Sequence, residues 1–235
     1  MPDLHGDAGR YPLPRRALSA RRVAATVALC AILVAITAST SQSSEASAAT
    51  KPAADRAVSI ATLGDSITIS FDTDTRAEPA ASQSWVPYAV GNRITWSAGY
   101  AHSGYTTGAI AGETRRYKAD VLVILAGTND VIAGIPFAPS ANNLKAMVAR
   151  AKVKKVIVSA IPPLDIHPAA AAAYNVSLRK LAARQHWTYV DATSALRSGN
   201  VYATGLTEDG VHPTPAGAKL IGTALRRAIL RLAGS

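Results

Sequence analysis

Short apolar runs alternating with helix-like stretches constrain this chain more than any other feature. The runs are AVSIATL at 57–63, ITWSA at 94–98, DVLVILA at 120–126, KKVIVSAI at 154–161 and WTYVD at 187–191. Three of them are nearly continuous apolar sequence, as strands read when helices cover both faces of their sheet. The 94–98 run is the weakest and fits an edge. Between the runs the spacing predicts helices over 85–93, 106–118, 140–151, 168–186 and 215–232. Ser140 is the expected N-cap of the third, and Pro168 suits the first turn of the fourth. Such alternation builds a parallel sheet with right-handed crossovers. Sheets of this kind place ligands beyond the carboxyl ends of their strands.

Polar residues gather at those ends. The first run stops at Gly64-Asp65-Ser66, and His102-Ser103-Gly104 follows the second. Gly127-Thr128-Asn129-Asp130 ends the third, and Glu208-Asp209-Gly210-Val211-His212 lies beyond the fifth. Acyl transfer by serine needs a hydroxyl, a base, a group that orients the base, and donors for an oxyanion. Ser66 can be the hydroxyl. His212 can be the base, since an imidazole ordinarily titrates at about 6.5 and can take and return a proton near neutrality. Asp209, three residues earlier, can reach one ring nitrogen and leave the other for Ser66. The Asn129 amide and the backbone N–H groups of Gly104 and Ser66 can hold a developing negative charge. Asp65 reads as a residue that fixes the turn. Singly, each has a plainer reading as a cap, a turn residue or a surface histidine. Asp65, His102, His167, Asp209 and His212 are also ligand types that suit zinc, although no two histidines have H-x₃-H spacing.

As a set, these blocks resemble the SGNH hydrolases, also called GDSL-type lipases and esterases. GDSIT looks like the first family block, SGYTT the second, GTND the third and DGVHPT the fifth. Ile67 stands where the family's name has Leu. The second block follows Ala101-His102-Ser103 where the family more often has Asn-Gly, and Gly99 is the alternative glycine. The resemblance implies a flavodoxin-like three-layer α/β/α sandwich with a five-stranded parallel sheet. It implies Ser66 as nucleophile, Asp209 and His212 as acid and base, and Ser66, Gly104 and Asn129 as oxyanion donors. It also implies an esterase or lipase that forms an acyl-enzyme and needs no cofactor or metal. Its substrates would be acyl lipids, acetylated sugars or small esters. The alternatives are a non-catalytic binder of cell-wall glycan or lipid on the same fold and a metal-dependent hydrolase.

The first fifty residues differ from the rest. Arg10, Arg15, Arg16, Arg21 and Arg22 form a basic lead, residues 23–38 are 16 uncharged and mostly apolar positions, and Ala46-Ser47-Ala48 follows. That order is the layout of a secretory signal, and a spanning helix would want about 20 apolar residues. The expectation is a signal peptide over 1–48, a linker over 49–56 and a hydrolase domain over 57–235, with a retained membrane anchor as the alternative. Cleavage removes Cys30, the single cysteine, so the mature chain folds without disulfides. Of 25 basic and 15 acidic residues, five arginines and three acids lie in that leader, leaving 20 and 12. A secreted, monomeric, basic protein able to associate with a membrane or cell-wall surface follows. The basic residues are scattered, and no nucleic-acid motif accompanies them. Two segments are expected as loops near the site: the polar stretch 70–84, and the apolar stretch 131–139 as a wall of an acyl pocket. The three tryptophans, Trp85, Trp96 and Trp187, read as core.

Overall fold

The structure is a computed structural model that describes residues 56–69 and 83–234. The expected signal, the linker before Arg56 and most of the 70–84 segment lie outside the described residues. Each of the five apolar runs contributes one strand: β1 Val58–Gly64, β2 Ile94–Ala101, β3 Val121–Leu125, β4 Lys155–Ser159 and β5 Thr188–Val190. All pair in parallel, in the order β2-β1-β3-β4-β5. The helices are α1 Val86–Ala89, α2 Thr107–Glu113, α3 Thr128–Ile132, α4 Phe137–Ala151, α5 Pro168–Arg184 and α6 Pro215–Ala233. A small hairpin, β6 Arg197–Ser198 and β7 Val201–Tyr202, stands apart from the sheet.

Strand periodicity sorts the core into two halves. In β3, Leu122 and Ile124 face a cluster that includes Leu144, Met147, Leu178 and Leu181 of α4 and α5. Val121, Val123 and Leu125 face a second cluster with Trp85, Ile221, Leu225 and Ile229. Successive strand residues point to opposite faces, so an unbroken VLVIL run feeds both layers. The result is the expected three-layer α/β/α sandwich. As read from its composition, β2 is an edge. It carries a bulge: Ile60 pairs with Trp96 and Ala61 with Ala98, leaving Ser97 extra.

Several boundaries move. The 85–93 helix is a single turn, because Gly91 and Asn92 adopt positive φ and turn the chain into β2. The 106–118 helix opens on Thr106, whose side chain accepts from the Ala109 N–H, but it stops at Glu113. Ser140 is not an N-cap. The helix starts three residues earlier, at Phe137, whose ring meets Tyr174 edge-on at 5.0 Å. The Ser140 hydroxyl instead turns inward to Asp130. Nor is 131–139 a loop: it holds the end of α3, a short turn and the start of α4.

Helix α6 crosses α1 at a glycine. A Cβ on Gly222 would lie 2.4 Å from Trp85 O and 2.6 Å from Tyr88 Cβ. Helix propensity alone favours alanine there by about 1 kcal/mol. Overpacking against backbone costs about 1–3 kcal/mol, and packing should win. Gly222→Ala is therefore expected to lower the thermal midpoint by a few degrees, read by calorimetry. A raised midpoint would mean that α6 moves away at little cost.

Candidate active site

Strand β1 ends because the chain coils at once. Thr68 N–H and Ile69 N–H donate to Asp65 O at 3.0 and 3.1 Å, and Ile67 N–H donates to Asp65 Oδ1 at 3.1 Å. This turn lifts Ser66, only partly buried, onto the carboxyl rim of the sheet. Gly64 is required beneath it, since a Cβ there would meet Thr68 Oγ1 at 2.1 Å and Leu125 O at 2.6 Å. Asp65 itself is fully buried, and its Oδ2 has no hydrogen-bond partner. Burial pushes its carboxyl up to about 7, against the opposing pull of the Ile67 N–H and of His212. The expected turn-fixing role agrees with these contacts.

The segment 207–212 builds a rigid local unit. Asp209 Oδ1 accepts from the N–H of His212 at 2.7 Å and of Val211 at 2.9 Å. Thr207 Oγ1 accepts from Gly210 N–H at 2.9 Å and donates to His212 O at 2.7 Å. Asp209 Oδ2 then lies 2.6 Å from His212 Nδ1. Burial raises the Asp209 carboxyl, but the His212 side chain and the two N–H groups outweigh it and bring it down to about 2. An ionised carboxylate can only accept, so Nδ1 carries the proton and Nε2 of the neutral ring is left as acceptor. Ser66 Oγ lies 2.8 Å from that Nε2, so the serine hydroxyl donates to it. Tyr202 OH steadies the turn by donating to Val211 O at 2.9 Å.

The remaining expected groups close the rim. Asn129 Nδ2 donates to Tyr105 O at 3.0 Å, and His102 N–H donates to Gly64 O at 3.4 Å. These two bonds hold the Gly104 turn between the end of β1 and the start of α3. Gly104 is exposed with φ +77, and a Cβ there would meet nothing within 4 Å. Glycine is favoured for its backbone angle. The alternative, Gly99, lies inside β2 against Thr62, where a Cβ would come within 2.3 Å of the Thr62 carbonyl oxygen.

Asp130 is the residue whose importance the sequence hid. It is fully buried and accepts from Thr107 N–H at 2.7 Å, Thr107 Oγ1 at 2.5 Å and Ser140 Oγ at 2.6 Å. One carboxylate thereby ties α2 and α4 to the α3 turn that presents Asn129. The GTND motif contained it, but its partners lie on other elements. Among the other histidines, His102 stacks on Tyr105 at 4.0 Å and His167 is exposed at the start of α5. Among the described residues no three His, Cys, Asp or Glu side chains gather closely enough to hold a metal ion. Trp85 is wholly buried, with Nε1 donating to Thr68 Oγ1 at 3.0 Å.

The profile of the GDSL-like lipase/acylhydrolase family matches residues 62–220. The chain belongs to that family. As a GDSL-family acylhydrolase, its general chemistry is ester hydrolysis. No curated protein sequence matches significantly. Among solved structures, a GDSL-like lipase from Bacteroides thetaiotaomicron is 21% identical, with TM-score 0.59 over 74% of this chain and 88% of that one. A carbohydrate esterase family 3 protein from Talaromyces cellulolyticus is 22% identical, with TM-score 0.58 over 75% and 98%. An acetyl esterase mutant with an acetate ion gives the same four values. At these identities the likeness speaks for the fold.

The buried Asp65 gives this GDSL-family protein a pH signature. Its folded pKa of about 7 lies above the unfolded value of about 3.9. Between those values the folded state keeps a proton that the unfolded state releases. Stability from this group is therefore present at low pH and lost as pH rises through about 7. Asp65→Asn keeps an acceptor for Ile67 and removes the titration. The variant's thermal midpoint should gain on wild type between pH 5 and pH 8. A constant difference across that range would refute the shifted carboxyl.

Proposed function

We propose that the chain is an exported serine esterase that works through an acyl-enzyme. The observation carrying this reading is the hydrogen-bonded line from Asp209 through His212 to Ser66, with links of 2.6 and 2.8 Å. His212 Nε2 takes the Ser66 proton as Oγ adds to the ester carbonyl. The Ser66 N–H, the Gly104 N–H and the Asn129 amide hold the tetrahedral oxyanion. The ester C–O bond then breaks, and His212 returns the proton to the leaving alcohol. Water repeats the sequence: His212 takes its proton, the acyl–serine bond breaks, and Ser66 is restored as the acid departs. Asp209 remains an anion throughout and stabilises the imidazolium. A hollow of about 140 Å³ beside His212, lined by Gln83, Glu208, Asp209 and Thr214, adjoins this centre.

Its substrates are esters of small molecules, lipids or glycans, met as a monomer outside the cell. Acetyl esters come first, because an acetyl esterase and a carbohydrate esterase share the fold. The test is hydrolysis of p-nitrophenyl esters from acetate upward. Ser66→Ala should lose at least about 10³-fold in kcat with its circular dichroism unchanged. Wild-type turnover in that variant would refute the reading. Asn129→Ala should lose about 10²–10³-fold in kcat with KM little altered. A loss confined to KM would assign the amide to ground-state binding instead.

A further inference from the structure

Charge in this domain is sorted by end. In a parallel α/β sandwich the strands begin, and their covering helices finish, on the rim opposite the site. Arg115, Arg116 and Lys118 lie there between α2 and β3, and Lys152 and Lys154 lie between α4 and β4, all exposed. Arg184 closes α5, and the exposed Arg227 and Arg231 fall near the end of α6. Hydrogen bonds draw these segments together: Tyr117 N–H donates to Ala151 O at 3.0 Å, and the Lys155 side chain donates through Nζ to Leu232 O at 2.8 Å. Arg56, Lys152, Lys154 and Lys155 line one hollow of about 390 Å³. Among the described acids, Glu113 and Asp120 lie on this rim, and Asp120 is held by Arg56 at 2.5 Å. The other described acids, Asp65, Asp130, Asp165, Asp191, Glu208 and Asp209, all follow the carboxyl ends of strands. Helix C-termini contribute only about half a negative charge each, too little to cancel the basic excess.

The route of the chain says what covers this rim. The described domain begins at Arg56, on the basic end, beside Asp120 and the start of β1. Ahead of it in sequence lies the uncharged, mostly apolar run 23–38, joined by residues 39–55. In a chain that keeps this run as an anchor, the alternative to a cleaved signal, whatever the run reaches is connected to the domain through its basic face. We propose that the strand-start rim, centred on Arg116, Lys118, Lys152 and Lys154, is a docking surface for anionic phospholipid headgroups. Each cation brought close to an anionic leaflet adds about fivefold to partitioning. The docked domain turns its Ser66 rim away from the bilayer, toward esters arriving from solution. That orientation of substrate supply rests on the hydrolase reading; the docking does not.

The test uses the full chain, wild type and an Arg116→Glu, Lys118→Glu, Lys152→Glu, Lys154→Glu variant. Both carry the same N-terminal arginines, so any difference between them belongs to the rim. Co-sedimentation is measured with phosphatidylcholine vesicles and with equal parts phosphatidylglycerol and phosphatidylcholine. Wild type should prefer the anionic vesicles, and that preference should fall at least about tenfold in the variant. It should also fall when salt rises from about 0.1 M to about 1 M, as the screening length drops from about 10 Å to about 3 Å. Circular dichroism and p-nitrophenyl acetate turnover should be unchanged. A milder Lys152→Gln, Lys154→Gln variant should lose part of the preference should the charge reversals disturb folding. Equal binding of wild type to both vesicles, or an undiminished preference in the variants, would overturn the proposal. So would displacement from vesicles by soluble polyglycerol phosphate at matched phosphate, which would make an acidic wall polymer the occupant. A protein inactive on esters yet dependent on the rim for vesicle binding would sink the hydrolase reading alone.

Discussion

A parallel sheet covered by helices on both faces leaves little room for charged or reactive side chains along its strands, and the few polar ones, such as Thr62 and Ser159, are buried hydroxyls. β3 shows the constraint in its strongest form, with five consecutive residues buried and each needed by one of two cores. Polar chemistry is displaced to where strands stop. Residues far apart in sequence therefore meet at one rim, as Ser66 meets His212 across 146 positions. Burial of β1 and β3 thus determines where the site can be, before any catalytic group is considered.

Within that rim, two kinds of carboxyl environment coexist. Asp209 lies in a partly exposed turn rich in N–H donors, and its bonds make it a firm anion. Asp65, next to Ser66 in the chain, is sealed from water with one oxygen unpartnered. The same functional group is thereby held charged in one place and pressed toward neutrality in the other. Asp130 is a third case, buried but saturated by three donors. Its work is architectural, since it fixes the helix start that carries Asn129.

What the sequence made legible follows from the range of each interaction. β1, β3 and β4 were readable because nearly continuous apolar runs report burial on both faces without reference to neighbours, whereas the edge strands β2 and β5, only partly buried, gave a weaker signal. The Asp209–His212 unit was readable because its bonds span three residues and its turn is self-contained. Ser140 was misread as a cap because serine is common at helix starts, whereas its hydroxyl answers to Asp130 ten residues away. Helix α3 and the β6–β7 hairpin escaped notice because five and two residues are too few for a period to declare itself. The weight borne by Asp130 needed the positions of α2 and α4, which no local pattern contains.

The bulge at Ser97 has a consequence for life in a crowded solution. Edge strands offer rows of free backbone groups on which another chain can align and begin a fibril. Here β2 is kinked midway by one extra residue, and β5, at the opposite margin, is three residues long. Neither margin gives a neighbouring molecule a straight template, so self-association through strand pairing is discouraged at both borders of the sheet.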